Sequence, residues 1–174
     1  MSEDQELRAA VRDVPDFPQV GVLFKDITPI LGDGRLLRKA MDLLAEETRA
    51  SGATKVAGID ARGFLFGATV ADRLGLGFVP IRKKGKLPWK THTVAYELEY
   101  GKSEIEVHTD AFAPDDRVAL VDDLLATGGT AKAAVSLIES CGVQVVVAQF
   151  LIELEFLEGR QHLAPLRVAS LLRF

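Results

Sequence analysis

The sequence predicts an α/β fold: a mostly parallel, twisted sheet flanked by helices, with a lid formed by a loop and an antiparallel strand pair. Three observations lead there. Strand-like runs alternate with helical runs along the chain. The strand-like runs are almost continuously apolar, the pattern of a parallel sheet covered on both faces, whereas one later pair alternates apolar and polar residues, the pattern of antiparallel strands with one wet face. No repeat, low-complexity tract or linker divides the 174 residues, a length suited to one hydrophobic core, so residues 1–174 read as one domain.

Taken in order, residues 4–11 are expected to form a short helix, and "VPDFPQVGVLF" after it is broken by Pro15, Pro18 and Gly21. Apolar residues at 36, 37, 40, 41, 43 and 44, with Asp33-Gly34 before them and Gly52 after, predict an amphipathic helix over 35–50. "KVAGID" reads as a buried strand, "RGFLFGATVADRLG" as a helix stopped by Gly75, and "GFVPI" as a second strand. A polar stretch over 82–92 precedes "VAYELEY" and "SEIEVHTD", the expected antiparallel pair. "RVALVDD" is then a strand, "GGTAKAAVSLIESCG" a helix ending at Gly142, and "VQVVVAQFLIE" another buried strand.

Composition narrows the function. With 48% hydrophobic and 26% charged residues and a net charge of −4, the chain reads as a soluble globular protein without the basic excess of a general nucleic-acid binder. Its acidic start, "MSEDQELRAA", is unlike a secretory signal, and no run approaches the roughly 18 apolar residues that span a bilayer, so a cytoplasmic protein with no membrane partner is expected. Cys141, the single cysteine, reads as a small core residue rather than a nucleophile. His92, His108 and His162 have no ligand spacing, so no metal-binding cluster is expected.

In open α/β sheets ligands bind outside the carboxyl ends of the strands. Three segments qualify: "IDARG", "IRKKGK" and "DDLLATGGT". In the last, backbone amides from Ala126 to Thr130 are expected to converge as the chain enters a helix. Gly128 and Gly129 allow the close approach, and Thr127 and Thr130 supply hydroxyls. The segment lacks the G-x-x-x-x-G-K-[ST] and G-x-G-x-x-G patterns, so neither a Walker loop nor a dinucleotide site is expected; an ordinary Gly-rich helix start remains the alternative. Asp122 and Asp123 sharpen the expectation. A carboxylate beside a phosphate is repelled unless it faces a metal ion or hydroxyl donors, so acids just before the cradle suit a ribose 5-phosphate, with its hydroxyls on the two aspartates.

"VALVDDLLATGGTAKAA" resembles the 5-phosphoribosyl 1-pyrophosphate (PRPP) motif of the type I phosphoribosyltransferases. More narrowly, "PDFPQVGVLFKDITPIL", "GIDARGFLFG", "IRKKGKLP" and "YELEYGKSEIEVH" resemble, in this order, the adenine-using branch of that family, from about Arg12 to the C-terminus. The resemblance implies that adenine and PRPP are the small-molecule substrates and AMP and pyrophosphate the products of a purine-salvage transfer, in a homodimer. It places the 5-phosphate and ribose on Asp122, Asp123, Ala126, Thr127, Gly128, Gly129 and Thr130, and the pyrophosphate on Ala61, Arg62, Arg82, Lys83 and Lys86. A solvated basic turn is the plainer alternative for "RKKGK". The resemblance also implies a base-binding segment over about 12–31, with Leu23, Phe24 and Lys25 at the adenine and Leu154 across the ring, where plain core packing is the alternative for Phe24 and Leu154.

The resemblance further places the catalytic glutamate at Glu99, beside Tyr100 on a lid over about 83–108; by residue chemistry alone Glu97 is an equal candidate. Mg2+ is expected to arrive on the substrate phosphates with no direct protein ligand. The chain departs from the family pattern at Lys25, where many members have Arg, and at Ala61, where some have Ser. The competing readings are a purine-responsive regulator with the same fold, which needs a DNA-binding domain or basic face that the chain does not show, and a transferase for another purine base.

Overall fold

Asp4 opens the first helix of the computed structural model, which describes residues 4–98 and 101–174. Its carboxylate accepts from the N–H groups of Glu6 and Leu7, capping α1 (Gln5–Ala10), and Leu7 is fully buried. Asp33 does the same for α3 (Gly34–Ala50), accepting from Arg35 and Leu36. Leu36, Ala40, Met41, Leu44 and Ala45 of α3 form the buried stripe expected from its apolar period. Between α1 and α3 the structure adds β1 (Arg12–Pro15) and β2 (Leu23–Asp26), an antiparallel hairpin across the segment that reads as broken chain in the sequence, and the short α2 (Thr28–Gly32), which the sequence did not anticipate. Pro15, Pro18 and Gly21 interrupt the local pattern without preventing the pairing, because Asp16 Oδ1 accepts from Gly21 N–H and Phe17 N–H donates to Val22 O across the turn.

The remaining strands are β3 (Lys55–Ile59), β4 (Gly77–Lys83), β5 (Thr91–Leu98), β6 (Gly101–His108), β7 (Arg117–Leu125), β8 (Gln144–Glu153) and β9 (Val168–Arg173). They form one seven-stranded sheet in the order β5-β6-β4-β3-β7-β8-β9. The pairs among β4, β3, β7, β8 and β9 are parallel; β6 joins β4, and β5 joins β6, antiparallel, as the alternating pattern predicts. β9 was not anticipated from the sequence. α4 (Gly63–Leu74) leads from β3 to β4 on one side of the sheet order, while α5 (Gly129–Ser140) leads from β7 to β8 on the other. The chain therefore diverges between β3 and β7, and the crevice outside their carboxyl ends is where the topology leaves room for a ligand.

Two apolar clusters hold the sheet. Leu120, Ala134, Leu137, Ile138 and Phe150 pack around α5, and Ala40, Met41, Leu44, Phe66, Val70, Val121 and Leu151 pack around α3 and α4. Neighbours Phe150 and Leu151 fall into different clusters, the period-2 alternation of a strand covered on both faces. α4 lies close to β3 because Gly58 and Gly67 leave space for the Phe78 ring. The turn after β4 is tied down by Glu106, a buried β6 residue that accepts from the N–H groups of Lys86 and Leu87 and from Thr91 Oγ1. Burial raises the Glu106 carboxyl, but the surrounding backbone N–H donors outweigh this and hold it below the usual carboxylate range.

A Cβ on Gly58 would come within 2.8 Å of the Phe78 ring and 3.0 Å of Gly63 O. Gly58→Ala is therefore expected to destabilise the chain by about 1–3 kcal/mol, the usual scale of core overpacking, as measured by urea unfolding. An unchanged midpoint would contradict this close approach.

Candidate active site

The crevice between β3 and β7 holds a cavity of about 330 Å³ lined by Asp60, Ala61 and Arg62 after β3 and by residues from Asp122 to Ala131 around the end of β7 and the start of α5. Two helices begin at its wall, α4 after Arg62 and α5 after Gly128, and neither has a side-chain cap. At α4 the Phe64 and Leu65 N–H groups donate to Ala61 O and Arg62 O, whereas the first N–H groups of α5 meet no capping side chain, in contrast to α1 and α3, whose aspartates take them. Gly128 adopts φ +85°, a left-handed conformation that turns the chain into α5. The turn expected at Gly128 is present, and it leads into a helix start without a side-chain cap.

β7 runs on to Leu125, so Asp122 and Asp123 lie within the strand rather than in the loop after it. Asp122 Oδ1 accepts from Asp123 N–H at 2.9 Å. The start of α4 closes over it so tightly that a Cβ on Gly63 would meet Asp122 Oδ1 at 2.7 Å. Asp123, 6% exposed, pairs with Arg62, whose Nε lies 2.8 Å from its Oδ2. Burial, followed by the charge of Asp123, pushes the Asp122 carboxyl well above its ordinary range. Asp123 is also raised by burial, against the opposing pull of Arg62.

Arg62 joins three parts of the site. Besides Asp123, its guanidinium lies 5.6 Å from the Phe24 ring centroid, within cation–π range, and so connects the β1–β2 hairpin to the cavity. Phe24 is half-buried and meets Phe17 edge-on at 5.1 Å, while Leu23 is 50% exposed. The Lys25 ammonium points elsewhere, 2.6 Å from Asp13 Oδ1 and 4.3 Å from the Phe174 ring centroid, so its charge is already matched within the hairpin and the C-terminus. Leu154, half-buried, follows β8 and donates its N–H to Leu125 O beside the cavity.

The basic turn divides. Arg82 Nε lies 3.1 Å from Oδ2 of Asp60, a cavity residue, and Arg82 Nη1 donates to Lys86 O at 3.2 Å. Lys83 and Lys86 are exposed outside the cavity wall. Glu99 and Tyr100 lie outside the described residues. From the strand pair, Tyr96 brings its hydroxyl 3.5 Å from Thr130 Oγ1. Sequence reasoning missed Asp60, which pairs with Arg82, and Gly159, which packs against Ala126 O and Gly128 N. "GID" at the end of a core strand was a usable signal for the first. The second has none, because its role depends on a contact between residues distant in sequence.

A sheet that diverges at a crevice, with acids, a glycine turn and an uncapped helix start at its mouth, defines a phosphoribosyltransferase-type domain. The phosphoribosyl transferase domain model matches residues 28–155. An adenine phosphoribosyltransferase of Nitrosococcus oceani is 52% identical over 170 residues, covering 98% of this chain and 99% of that protein. The crystal structure of adenine phosphoribosyltransferase from Thermoanaerobacter pseudethanolicus superposes with a TM-score of 0.94 at 48% identity, over 98% of this chain and 99% of that one. The Saccharomyces cerevisiae enzyme, solved with adenine and an imino-altritol bisphosphate, gives a TM-score of 0.92 at 38% identity, over 96% and 97% of the two chains. The chain belongs to the adenine phosphoribosyltransferase family.

The raised Asp122 carboxyl has a consequence for stability. A carboxyl whose folded pKa exceeds its unfolded value carries no penalty below about pH 4, but opposes folding as pH rises toward its folded pKa and its charge is forced on. Asp122→Asn, which keeps the acceptor for Asp123 N–H, is expected to raise the thermal midpoint at about pH 7, with the gain vanishing near pH 4. Scanning calorimetry across that range checks it, and a gain independent of pH would sink the assignment.

Proposed function

We infer that the chain transfers the 5-phosphoribosyl group of PRPP to adenine, giving AMP and pyrophosphate. The observation that carries this reading is the joining, in one cavity, of the half-buried Asp122 and the buried Asp123 with the uncapped start of α5. One part suits sugar hydroxyls, the other a phosphate, and together they match a ribose 5-phosphate better than any phosphate alone. The yeast relative binds adenine alongside a phosphorylated sugar analogue, which supports the same ligand shape here.

In this proposal the amides and hydroxyls from Ala126 to Thr130 take the 5-phosphate and the two aspartates take the ribose hydroxyls. Arg62, the Ala61 backbone and Arg82 receive the pyrophosphate, with Lys83 and Lys86 adding positive potential from the rim. Arg62 and Arg82 are paired with Asp123 and Asp60. A pyrophosphate arriving there would compete for these guanidinium groups and free Asp123 toward the ribose. Phe24 and Leu154 would flank the adenine, with backbone groups near Leu23 and Lys25 reading its edge. The C1–pyrophosphate bond breaks while the N9–C1 bond forms, through a transition state with positive charge at C1, and the N9 proton leaves. Glu99, adjacent to Tyr100 on the lid, is proposed to accept that proton or stabilise the positive charge, with the lid excluding water from the activated sugar.

Among the described residues no group of three or more His, Cys, Asp and Glu could hold a metal, and the cavity carboxylates Asp60 and Asp123 already face guanidinium groups. An Mg2+ carried by the pyrophosphate with its waters would need few protein ligands and would offset phosphate charge, and Asp122 is the cavity carboxylate that no guanidinium among the described residues holds in an ion pair. Among the described residues no helix is long and apolar enough to cross a membrane; a cytoplasmic homodimer is proposed on the family resemblance.

The test is AMP formation from each free purine base with PRPP and Mg2+. Adenine is expected to react best; reaction of hypoxanthine or guanine in its place would overturn the substrate. Glu99→Ala is expected to lower kcat by about 10²-fold or more, with a smaller change in the KM for adenine. Asp123→Asn is expected to act mainly on the KM for PRPP.

A further inference from the structure

We propose that the chain segment after β8 braces the phosphate loop from behind, and that His162 within it is a positioning residue for PRPP; this rests on reading Ala126 to Thr130 as the 5-phosphate site. After β8 the chain makes two tight helical turns, Glu155–Leu157 and Gly159–Leu163, joined through Glu158 in a left-handed conformation. Arg160 fastens this segment to the sheet. Its Nε and Nη2 donate to the buried Glu153 carboxylate at 2.9 and 2.6 Å, its Nη1 donates to Val168 O at 2.8 Å, and Ser170 Oγ donates to the same carboxylate at 2.6 Å.

From that anchor two neighbours reach the phosphate loop. Gly159 lies against Ala126 O and Gly128 N with no room for a Cβ, and a Cβ on Gly128 would come 2.5 Å from Gly159 O. His162 places Nδ1 2.7 Å from Thr127 O. A carbonyl can only accept, so Nδ1 carries the proton and donates. The carbonyl and the following N–H of a trans peptide point in opposite directions, so holding Thr127 O also sets the direction of the Gly128 N–H, one of the cradle donors. The imidazole is exposed, so packing does not account for its placement; its described partner is the loop carbonyl.

The brace is tested by steady-state kinetics with each substrate varied in turn. His162→Ala is expected to raise the KM for PRPP about fivefold, the scale of one hydrogen bond, with kcat, the KM for adenine and the thermal midpoint nearly unchanged. His162→Asn sets an amide N–H near the place of Nδ1 and is expected to recover most of the loss. A PRPP KM in His162→Ala within about twofold of the unaltered chain, or an Asn variant no better than the Ala variant, overturns the proposal. Should the unaltered chain make no AMP, the proposed reaction fails, yet titration of ribose 5-phosphate into the same three proteins still reads the brace. Weakening in the Ala variant with recovery in the Asn variant supports it, and equal affinities overturn it.

Discussion

The constraint on which the rest of the site depends is the placing of two adjacent carboxylates, Asp122 half-buried and Asp123 buried, at the end of a central strand. Asp122 and Asp123 are held where desolvation raises both, with one guanidinium, Arg62, in direct opposition. Such a pair costs stability wherever it is not matched by a ligand, because burying charge is unfavourable unless it is paired and hydrogen-bonded. Its surroundings are shaped to keep it there. Gly63 lets the start of α4 close over Asp122, and the Arg62 that opposes Asp123 is the residue immediately before that helix. Ribose hydroxyls, donors aimed at carboxylate oxygens, are the kind of partner that would relieve this arrangement.

Helix ends divide the molecule into structural and functional parts by the same rule. α1 and α3, away from the cavity, are capped by Asp4 and Asp33 and so offer no free amides. α4 and α5 begin at the crevice without side-chain caps. At α4 the Phe64 and Leu65 N–H groups turn back onto Ala61 O and Arg62 O, so the start of α5 is where uncapped amides meet the cavity. The guanidinium groups are treated alike: Arg62 and Arg82 rest on Asp123 and Asp60, pairings that an incoming pyrophosphate would exchange rather than create.

Much of this was legible in the chain. Continuous apolar runs such as "RVALVDD" and the stripe of α3 predicted their elements because burial selects residue type at fixed periods. The T-G-G-T turn and the two acids before it were readable as one ligand shape because they are neighbours in sequence. The β1–β2 hairpin was not legible, since Pro15, Pro18 and Gly21 mask a pairing completed by contacts across the turn. β9 was missed as well; it pairs with β8 only after the turns that carry Arg160 and His162. The contact between Arg62 and Phe24 joins two segments nearly forty positions apart, and that between His162 and Thr127 joins two separated by thirty-five.

By itself the sequence determined the strand and helix periods, the Thr-Gly-Gly-Thr turn, the acids beside it and the family, because each depends on residue type over a short span. Tertiary structure alone decided that Asp123 is buried and Asp122 half-buried within β7, that Lys25 turns its charge toward Asp13 while Phe24 meets Arg62, and that Gly159 and His162 stand against the turn at Gly128. Desolvation, ion pairing and close packing depend on what lies within a few ångströms in space, and only the folded chain brings those residues together.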